Sequence, residues 1–264
     1  MEILPIPELP KFSSGPTPIF LKVFIECGFR DDRNIQFRDF TETMSFYYDH
    51  YYEHAKQRLI SIHGNYCLIA EDFSDSLKKY PNTRNISGLM AEQVYWDFED
   101  YLAAMRSLLD IYIMLCRAAS SAPGSFPSSF SVLKERDSNK VRELVKLTTL
   151  YPILKDAYNS WAKEMIDYRN FYMHYAPFEE VHSTRVIVSE SMLKINHRLP
   201  DSLKVKNLKF EYYKNKDVFE YSIEIFRKND ELQSALANEI CSLNLLGNYP
   251  HTKFDYKLCR PMNK

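Results

Sequence analysis

The chain has 264 residues, the size of one large domain or of one domain with an addition. Its 17 Phe and 19 Tyr against only 6 Gly favour long helices packed by large side chains and argue against a turn-rich all-β protein. A net charge of −1 provides no global field that would attract nucleic acid, so any RNA site has to be a local patch.

Cysteine usage and hydropathy indicate the compartment. The five cysteines are an odd number without a C-x-x-C pair, which predicts reduced thiols and neither a disulfide framework nor a thiolate zinc site. The first residues lack a basic region followed by an apolar run, as a secretory signal would have. No apolar stretch approaches the ~20 residues that a membrane helix needs. We therefore expect a cytoplasmic protein with no membrane partner.

The chain divides into three predicted parts. Residues 1–41 form an arm and a connection, because five prolines within residues 1–18 exclude a helix and favour an extended segment on the body or on a partner. Residues 42–177 form a helical bundle, and residues 178–264 add a β-hairpin and a C-terminal helix. The predicted fold class is therefore mainly α.

Four helical patterns predict the bundle. The first runs from about residue 42 to 79, and the second starts after Ser87, a suitable N-cap. Apolar residues recur every three or four positions in both, most regularly at Tyr95, Phe98, Leu102, Met105, Leu109, Tyr112 and Cys116. The third pattern covers about 138–150, and the fourth runs from about 152 to 175 with Leu154, Tyr158, Trp161, Met165, Tyr168 and Tyr172 as its buried stripe. This order is typical of a four-helix bundle.

After Pro177 the sequence changes character. Residues 184–196 and 203–213 are rich in β-branched and aromatic residues, and Leu199-Pro200-Asp201 between them predicts a turn, which gives a small hairpin. Helical spacing returns over residues 217–245 before Gly247 and Pro250.

A polar cluster lies at the C-terminal end of the fourth predicted helix. Arg169 is followed by Asn170 and, five positions after the arginine, by His174. At about 100° per residue, Asn170 and His174 point away from the buried stripe, Arg169 lies on the flank, and Phe171 and Met173 are expected to flank the outward face. That face is therefore either solvated or turned towards another molecule.

The pattern R-[polar]-x-x-x-H resembles the signature of the HEPN superfamily. The helix from Tyr95 to Asp110 looks like the aromatic and acidic helix of the first HEPN helical pair, so that the resemblance covers roughly residues 42–177. Many members are metal-independent ribonucleases of toxin–antitoxin and antiviral systems, with the motif in a cleft between two protomers. Some bacterial toxins of the superfamily have a tyrosine two positions after the histidine, where this chain has Ala176.

The resemblance implies a homodimeric HEPN-like endoribonuclease that needs no cofactor. It also implies a role in prokaryotic antiviral defence or a toxin system, with an antitoxin or defence protein as a partner. Arg169 and His174 would be catalytic, with Asn170 as their helper. Histidine exchanges protons near neutral pH and suits the 2′-hydroxyl of RNA, while arginine suits the charged phosphorane. The alternative is a non-catalytic HEPN-like module that binds nucleotide, RNA or a protein.

Two further sequence patterns indicate other possible catalytic or binding sites. His50, Glu53 and His54 match H-x-x-E-H, the inverted zincin motif, which predicts a zinc hydrolase as a more distant alternative. Basic and aromatic residues interleave at Lys204, Lys206, Lys209, Tyr212 and Tyr213, which is typical of an RNA-binding platform or of an edge strand protected by lysines. His182 and His197 are interpreted as isolated residues.

Overall fold

The computed structural model describes residues 2–3, 5–12, 35–81, 88–119, 129–134, 149–175, 182–188, 192–203, 210–242, 254–255 and 260–261. The described chain is mainly helical with a small antiparallel sheet, as the sequence predicts. None of the described helices combines the length and the apolar character that crossing a membrane requires.

The helices have the following bounds. They are α1 (Ile35–Lys79), α2 (Gly88–Ala119), a 3₁₀ turn (Phe130–Lys134), α3 (Leu150–Ala157), a π-helical turn (Tyr158–Ala162), α4 (Lys163–Tyr175) and α5 (Val218–Ser242). The helix predicted over 138–150 lies, up to residue 148, outside the described residues, as does the predicted cap Ser87. The π-helical turn joins α3 and α4 directly, so that the predicted fourth helix is continuous from residue 150 to 175.

The predicted apolar stripes are buried. Every stripe residue predicted for α2, and every one predicted between Leu154 and Tyr172, lies in the core. In α5, the core includes Phe219, Ile223, Phe226, Leu232, Leu236 and Ile240. Burying each such side chain contributes about 1.5–3 kcal/mol relative to leaving it in water. The helical periodicity therefore identifies the core-facing positions correctly.

The sheet contains a hairpin whose strands differ from the predicted ones. β2 (Ser183–Val188) pairs antiparallel with β3 (Met192–Arg198), with Val186 opposite Ile195. The two strands cover the first predicted strand, residues 184–196, and extend beyond it by one residue before and two after, so this pair is connected between Val188 and Met192 and not through residues 199–201. The polar run Ser189-Glu190-Ser191 separates two β-branched runs, and this is the signal that the prediction missed. The described part of the second predicted strand, residues 210–213, is not a strand.

Short strands complete the described elements. β1 (Glu2–Ile3) adds to β3 in parallel, with Ile3 opposite Leu193, and gives the sheet order β1-β3-β2. The arm also places Phe12 edge-to-face on Phe226, with ring centroids 5.4 Å apart. The described residues of the arm are therefore extended and lie on the chain's own body. β4 (Phe254–Asp255) and β5 (Arg260–Pro261) form a separate two-stranded ribbon.

The chain forms two compact units, and each long helix contributes to both. The first unit, which we call the motif unit, comprises residues 1–12, 54–104 and 164–227; the second comprises 13–53, 105–163 and 228–264. The motif unit contains the three-stranded sheet and the whole of α4 beyond Lys163. The residues of the RNA motif, Arg169, Asn170 and His174, all lie in the motif unit.

A buried carboxylate joins two helices of the motif unit. Asp97 of α2 is almost completely buried, and it accepts hydrogen bonds from Arg58, Ser61 and Asn65 of α1 at 2.9, 2.6 and 3.0 Å. Burying a carboxylate raises the free energy of the folded state unless it is paired and hydrogen-bonded. These three donors therefore allow Asp97 to be buried.

The second unit has its own buried polar chain. The hydroxyl of Tyr48 donates to Gln233 at 2.8 Å and lies 3.1 Å from that of Tyr112, which in turn donates to Asn229 at 3.0 Å. These bonds fix α5 against α1 and α2 within that unit.

Candidate functional site

The predicted motif occupies the last turns of α4. Tyr168 and Tyr172 point into the core, whereas Asn170 and His174 are exposed, as their helical positions predict. Phe171 does not flank the exposed face: it is 4% exposed and packs edge-to-face on Phe210, with centroids 5.6 Å apart. The prediction for Phe171 is wrong because the loop that carries Phe210 covers a flank of α4 that helical periodicity alone leaves open. Met173 is exposed, as expected.

An open cavity of about 670 Å³ lies beside the exposed face of α4. Asn170 and His174 line it together with three carboxylates, those of Glu164, Asp167 and Asp201. Asp201 is held by the backbone N–H groups of Tyr213 and Lys214, which donate to it, and Glu164 accepts a hydrogen bond from Lys216 at 2.8 Å. The structure therefore brings Asn170 and His174 into one acidic cavity.

Arg169 has different surroundings. It is half-buried and is absent from the residues that line the acidic cavity. Its Nη1 donates to the Asn170 side-chain oxygen at 3.2 Å, while its buried Nε finds no partner among the described residues. Burial raises the pKa of Glu99, as does the Asp100 carboxylate, whereas the Arg169 guanidinium lowers it. Arg169 thus interacts with α2, and its buried Nε is a donor without a partner among the described residues.

Behind the motif lies a buried aromatic and histidine cluster that the sequence does not predict. The Tyr95 ring stacks on the His182 ring at 4.4 Å, meets the His197 ring edge-on at 5.8 Å, and lies 6.3 Å from the Tyr172 ring. Burial lowers the pKa of His197 to about 3 and that of His182 as well, so both rings are neutral at pH 7. Thr184 Oγ1 lies 2.8 Å from His197 Nδ1.

This cluster supports α4 from the core side. Tyr172, three residues after Arg169 and two before His174, is fully buried within it, and burial raises its pKa. The two histidines contact Tyr95 of α2, which in turn neighbours Tyr172 of the motif helix, so they are not isolated residues, which corrects the sequence interpretation. The contacts of His182 and His197 with Tyr95 join segments that are far apart in the sequence, so local sequence patterns do not predict them.

The predicted RNA platform is described in part. Lys204, Lys206 and Lys209 lie outside the described residues. Tyr212 is half-buried under the Arg198 guanidinium, whose carbon lies 5.1 Å from the ring centroid. Tyr213 is 81% exposed at the tip of a turn. Of the two tyrosines, Tyr213 is the more exposed to solvent.

The zinc alternative receives no support from the described side chains. His50 and Glu53 are exposed and His54 is half-buried. Among the residues with described side chains, no three His, Cys, Asp or Glu residues are grouped as metal ligands.

Comparisons with known proteins give no match: no family model, no curated protein and no solved structure corresponds to this chain.

Proposed function

We propose that the chain is a metal-independent endoribonuclease of the HEPN type, acting as a homodimer on RNA. The observation that supports this most is the state of the motif residues on α4. His174 and Asn170 are exposed beside an open cavity, and Arg169 retains an unpartnered buried Nε among the described residues. A role in prokaryotic antiviral defence or a toxin system follows from the motif resemblance only.

In the proposed reaction, His174 takes the proton of a ribose 2′-hydroxyl, and the 2′-oxygen attacks the adjacent phosphorus. The bond from phosphorus to the 5′-oxygen breaks, and His174 of the second copy gives that oxygen a proton. Arg169 stabilises the extra negative charge on the phosphorane through its planar donors. The products carry a 2′,3′-cyclic phosphate and a 5′-hydroxyl, and DNA is spared because it lacks the nucleophile.

A second copy supplies what one chain lacks. Arg169 and His174 are five residues apart, so their side chains leave the helix about 140° from each other. The acidic lining by Glu164, Asp167 and Asp201 also opposes a phosphate beside a single His174. An Arg169 from a second copy would bring both the missing donor fork and a positive charge to that cavity.

The acidic lining also favours a second candidate function. Asp167 and Asp201 beside His174, with Glu164 already paired to Lys216, suit a cationic segment of a protein partner better than an RNA phosphate. In that case the chain would be a non-catalytic HEPN-like module that binds a partner through the same cavity.

The variant His174→Ala separates the two functions. For the nuclease, we expect RNA cleavage in EDTA to fall by at least about 10²-fold, because a positioned acid–base group contributes about 10²–10⁴-fold. The melting temperature should stay unchanged, because the side chain is exposed. The measurement is the cleavage rate of a mixed RNA, with the dimer mass determined in parallel.

His50→Ala is the matched control, because His50 is an exposed histidine of the second unit and also belongs to the H-x-x-E-H pattern. It should retain full cleavage. Equal cleavage by wild type and His174→Ala would contradict the assignment of His174, and the absence of cleavage in the wild type would favour the binding module.

A further inference from the structure

Of the carboxylates in the acidic cavity beside α4, that of Asp167 is the one available to a ligand. Glu164 is already paired with Lys216 at 2.8 Å, and Asp201 accepts hydrogen bonds from two backbone N–H groups at 2.6 and 3.1 Å. Asp167 is exposed, and its carboxylate has no partner among the described residues. The cavity therefore offers a ligand a free pair of acceptor oxygens at Asp167.

Asn170 presents a free donor next to that acceptor. Its side-chain oxygen accepts a hydrogen bond from Arg169 Nη1 at 3.2 Å, which leaves the Nδ2 amide group without a partner among the described residues. Asp167 and Asn170 are three residues apart on α4, so their side chains are neighbours on one face of the helix. A carboxylate and an amide N–H2 group therefore lie side by side at the cavity.

These two groups lie in line with His174. Asp167 and His174 are seven residues apart, which places them about 20° apart around the helix and about 10 Å apart along it, with Asn170 between them. The buried rings of Tyr168 and Phe171 line the same cavity and provide an apolar wall. Its volume of about 670 Å³ is within the range of small-ligand sites, about 300–1,000 Å³. One purine nucleotide is long enough to reach from His174 to Asp167.

The edge of one base matches this pair of groups. Guanine has two adjacent donors, N1–H and the N2 amino group, which can both reach the two oxygens of one carboxylate. Beside them is the O6 acceptor, which suits an amide N–H2 group. Adenine and cytosine have a ring-nitrogen acceptor next to their amino group, and uracil has a single N–H group between two carbonyls. Each of these three bases would turn an acceptor towards the Asp167 carboxylate.

We propose that Asp167 and Asn170 bind the Watson–Crick edge of guanine, so that the chain cleaves RNA on the 3′ side of guanosine. This inference rests on the proposed ribonuclease and names its base specificity. The guanosine lies along α4, with its base at Asp167 and Asn170 and its 2′-hydroxyl at His174. A carboxylate that opposes a phosphate attracts the N–H groups of a neutral base, so the acidic lining is compatible with an RNA substrate.

Five RNA substrates that differ at one nucleotide test the base preference. Each is 2′-O-methylated except at the nucleotide before one bond, which is guanosine, inosine, adenosine, cytidine or uridine, so that only this bond can be cleaved through a 2′-hydroxyl. We expect cleavage by the wild type in EDTA to be at least about tenfold faster after guanosine than after adenosine, cytidine or uridine. Inosine lacks only the N2 amino group and should be cleaved at least about threefold more slowly than guanosine. Cleavage after any other base at the guanosine rate or faster would overturn the inference.

Asp167→Asn tests the proposed contact directly, because it keeps the shape of the side chain and replaces one acceptor oxygen with a donor. We expect the ratio of the cleavage rates after guanosine and after uridine to fall by at least about tenfold. The melting temperature should be unchanged, because the side chain is exposed. Glu164→Gln is the matched control, since it removes the same charge from the same cavity at a carboxylate that is already paired, and it should retain the ratio. A retained ratio in Asp167→Asn, or an equal loss in both variants, would contradict the role of Asp167.

A binding measurement separates this inference from the proposed ribonuclease. Titration calorimetry with the four nucleoside 3′-monophosphates should show that the guanosine nucleotide binds at least about tenfold more tightly than the other three, and that Asp167→Asn loses this difference. If the wild type cleaves no RNA but prefers the guanosine nucleotide, the ribonuclease fails and the guanine site stands. If the wild type binds the four nucleotides equally, the guanine site is overturned, whether or not RNA is cleaved.

Discussion

At the scale of single residues, Arg169 and His174 have different environments. His174 is exposed in the last turn of α4. Arg169 is half-buried, and Asn170 and the nearby Glu99 take up part of its charge and hydrogen-bonding capacity. In the proposed reaction the exposed histidine exchanges the proton, and the arginine provides the anion-binding fork.

The variant Arg169→Lys tests that role of the fork. Lysine keeps the positive charge but loses the planar donor pair, so we expect kcat for RNA cleavage to fall by about 10²-fold or more. The melting temperature should change little, because Nε has no partner among the described residues that would be left unsatisfied. The measurement is steady-state cleavage together with thermal unfolding.

Arg185→Lys on β2 is the matched control, because Arg185 is exposed and lies outside the motif. Full activity in Arg169→Lys would mean that the guanidinium is only a structural partner of α2.

At the scale of elements, the sequence predicts helices well and strand pairing poorly. The stripe of α2 is predicted correctly because the positions that a helix buries depend on local spacing. The hairpin turn is misplaced because register is decided by pairing, such as Val186 with Ile195, and not by local composition.

The difference between local helical spacing and long-range pairing also limits how much of the candidate site the sequence predicts. The exposure of Asn170 and His174 follows from helical geometry, whereas the burial of Phe171 depends on Phe210, 39 positions later in the sequence. Equally, nothing near Tyr95 in the sequence indicates that His182 will stack on it. Contacts between segments that are far apart in the sequence can be identified only from the structure.

The turn that carries Tyr213 gives a prediction at this scale. Because Tyr213 is 81% exposed, Tyr213→Ala should change the free energy of unfolding by less than about 0.5 kcal/mol. If the ring stacks on a base, the same variant should weaken binding of single-stranded RNA by about 1–3 kcal/mol. Fluorescence anisotropy with a labelled RNA measures the binding, in the inactive His174→Ala background.

Tyr80→Ala is the comparison, since Tyr80 is also a strongly exposed tyrosine and follows the last residue of α1. RNA affinity that is unaffected in both variants would remove Tyr213 from the proposed platform.

At the scale of the whole molecule, the candidate site belongs to one compact unit. The motif helix beyond Lys163, the three-stranded sheet and residues 5–12 of the arm all lie in the motif unit. The boundaries predicted at residues 41 and 177 lie where the composition of the sequence changes. The compact units have other boundaries, and each unit includes part of every long helix. The net charge of −1 gives no general affinity for RNA, so the proposed ribonuclease needs a local positive charge, which in our proposal a second copy brings to the acidic cavity.

The central claim is cleavage through the ribose 2′-hydroxyl, and one measurement tests it most directly. A synthetic RNA is cleaved in EDTA, the position of cleavage is mapped, and the same RNA is remade with a single 2′-deoxy residue on the 5′ side of that bond. We predict that the first RNA gives a 2′,3′-cyclic phosphate and a 5′-hydroxyl, and that the substituted bond stays intact. Cleavage at the deoxy position at an unchanged rate would contradict the account.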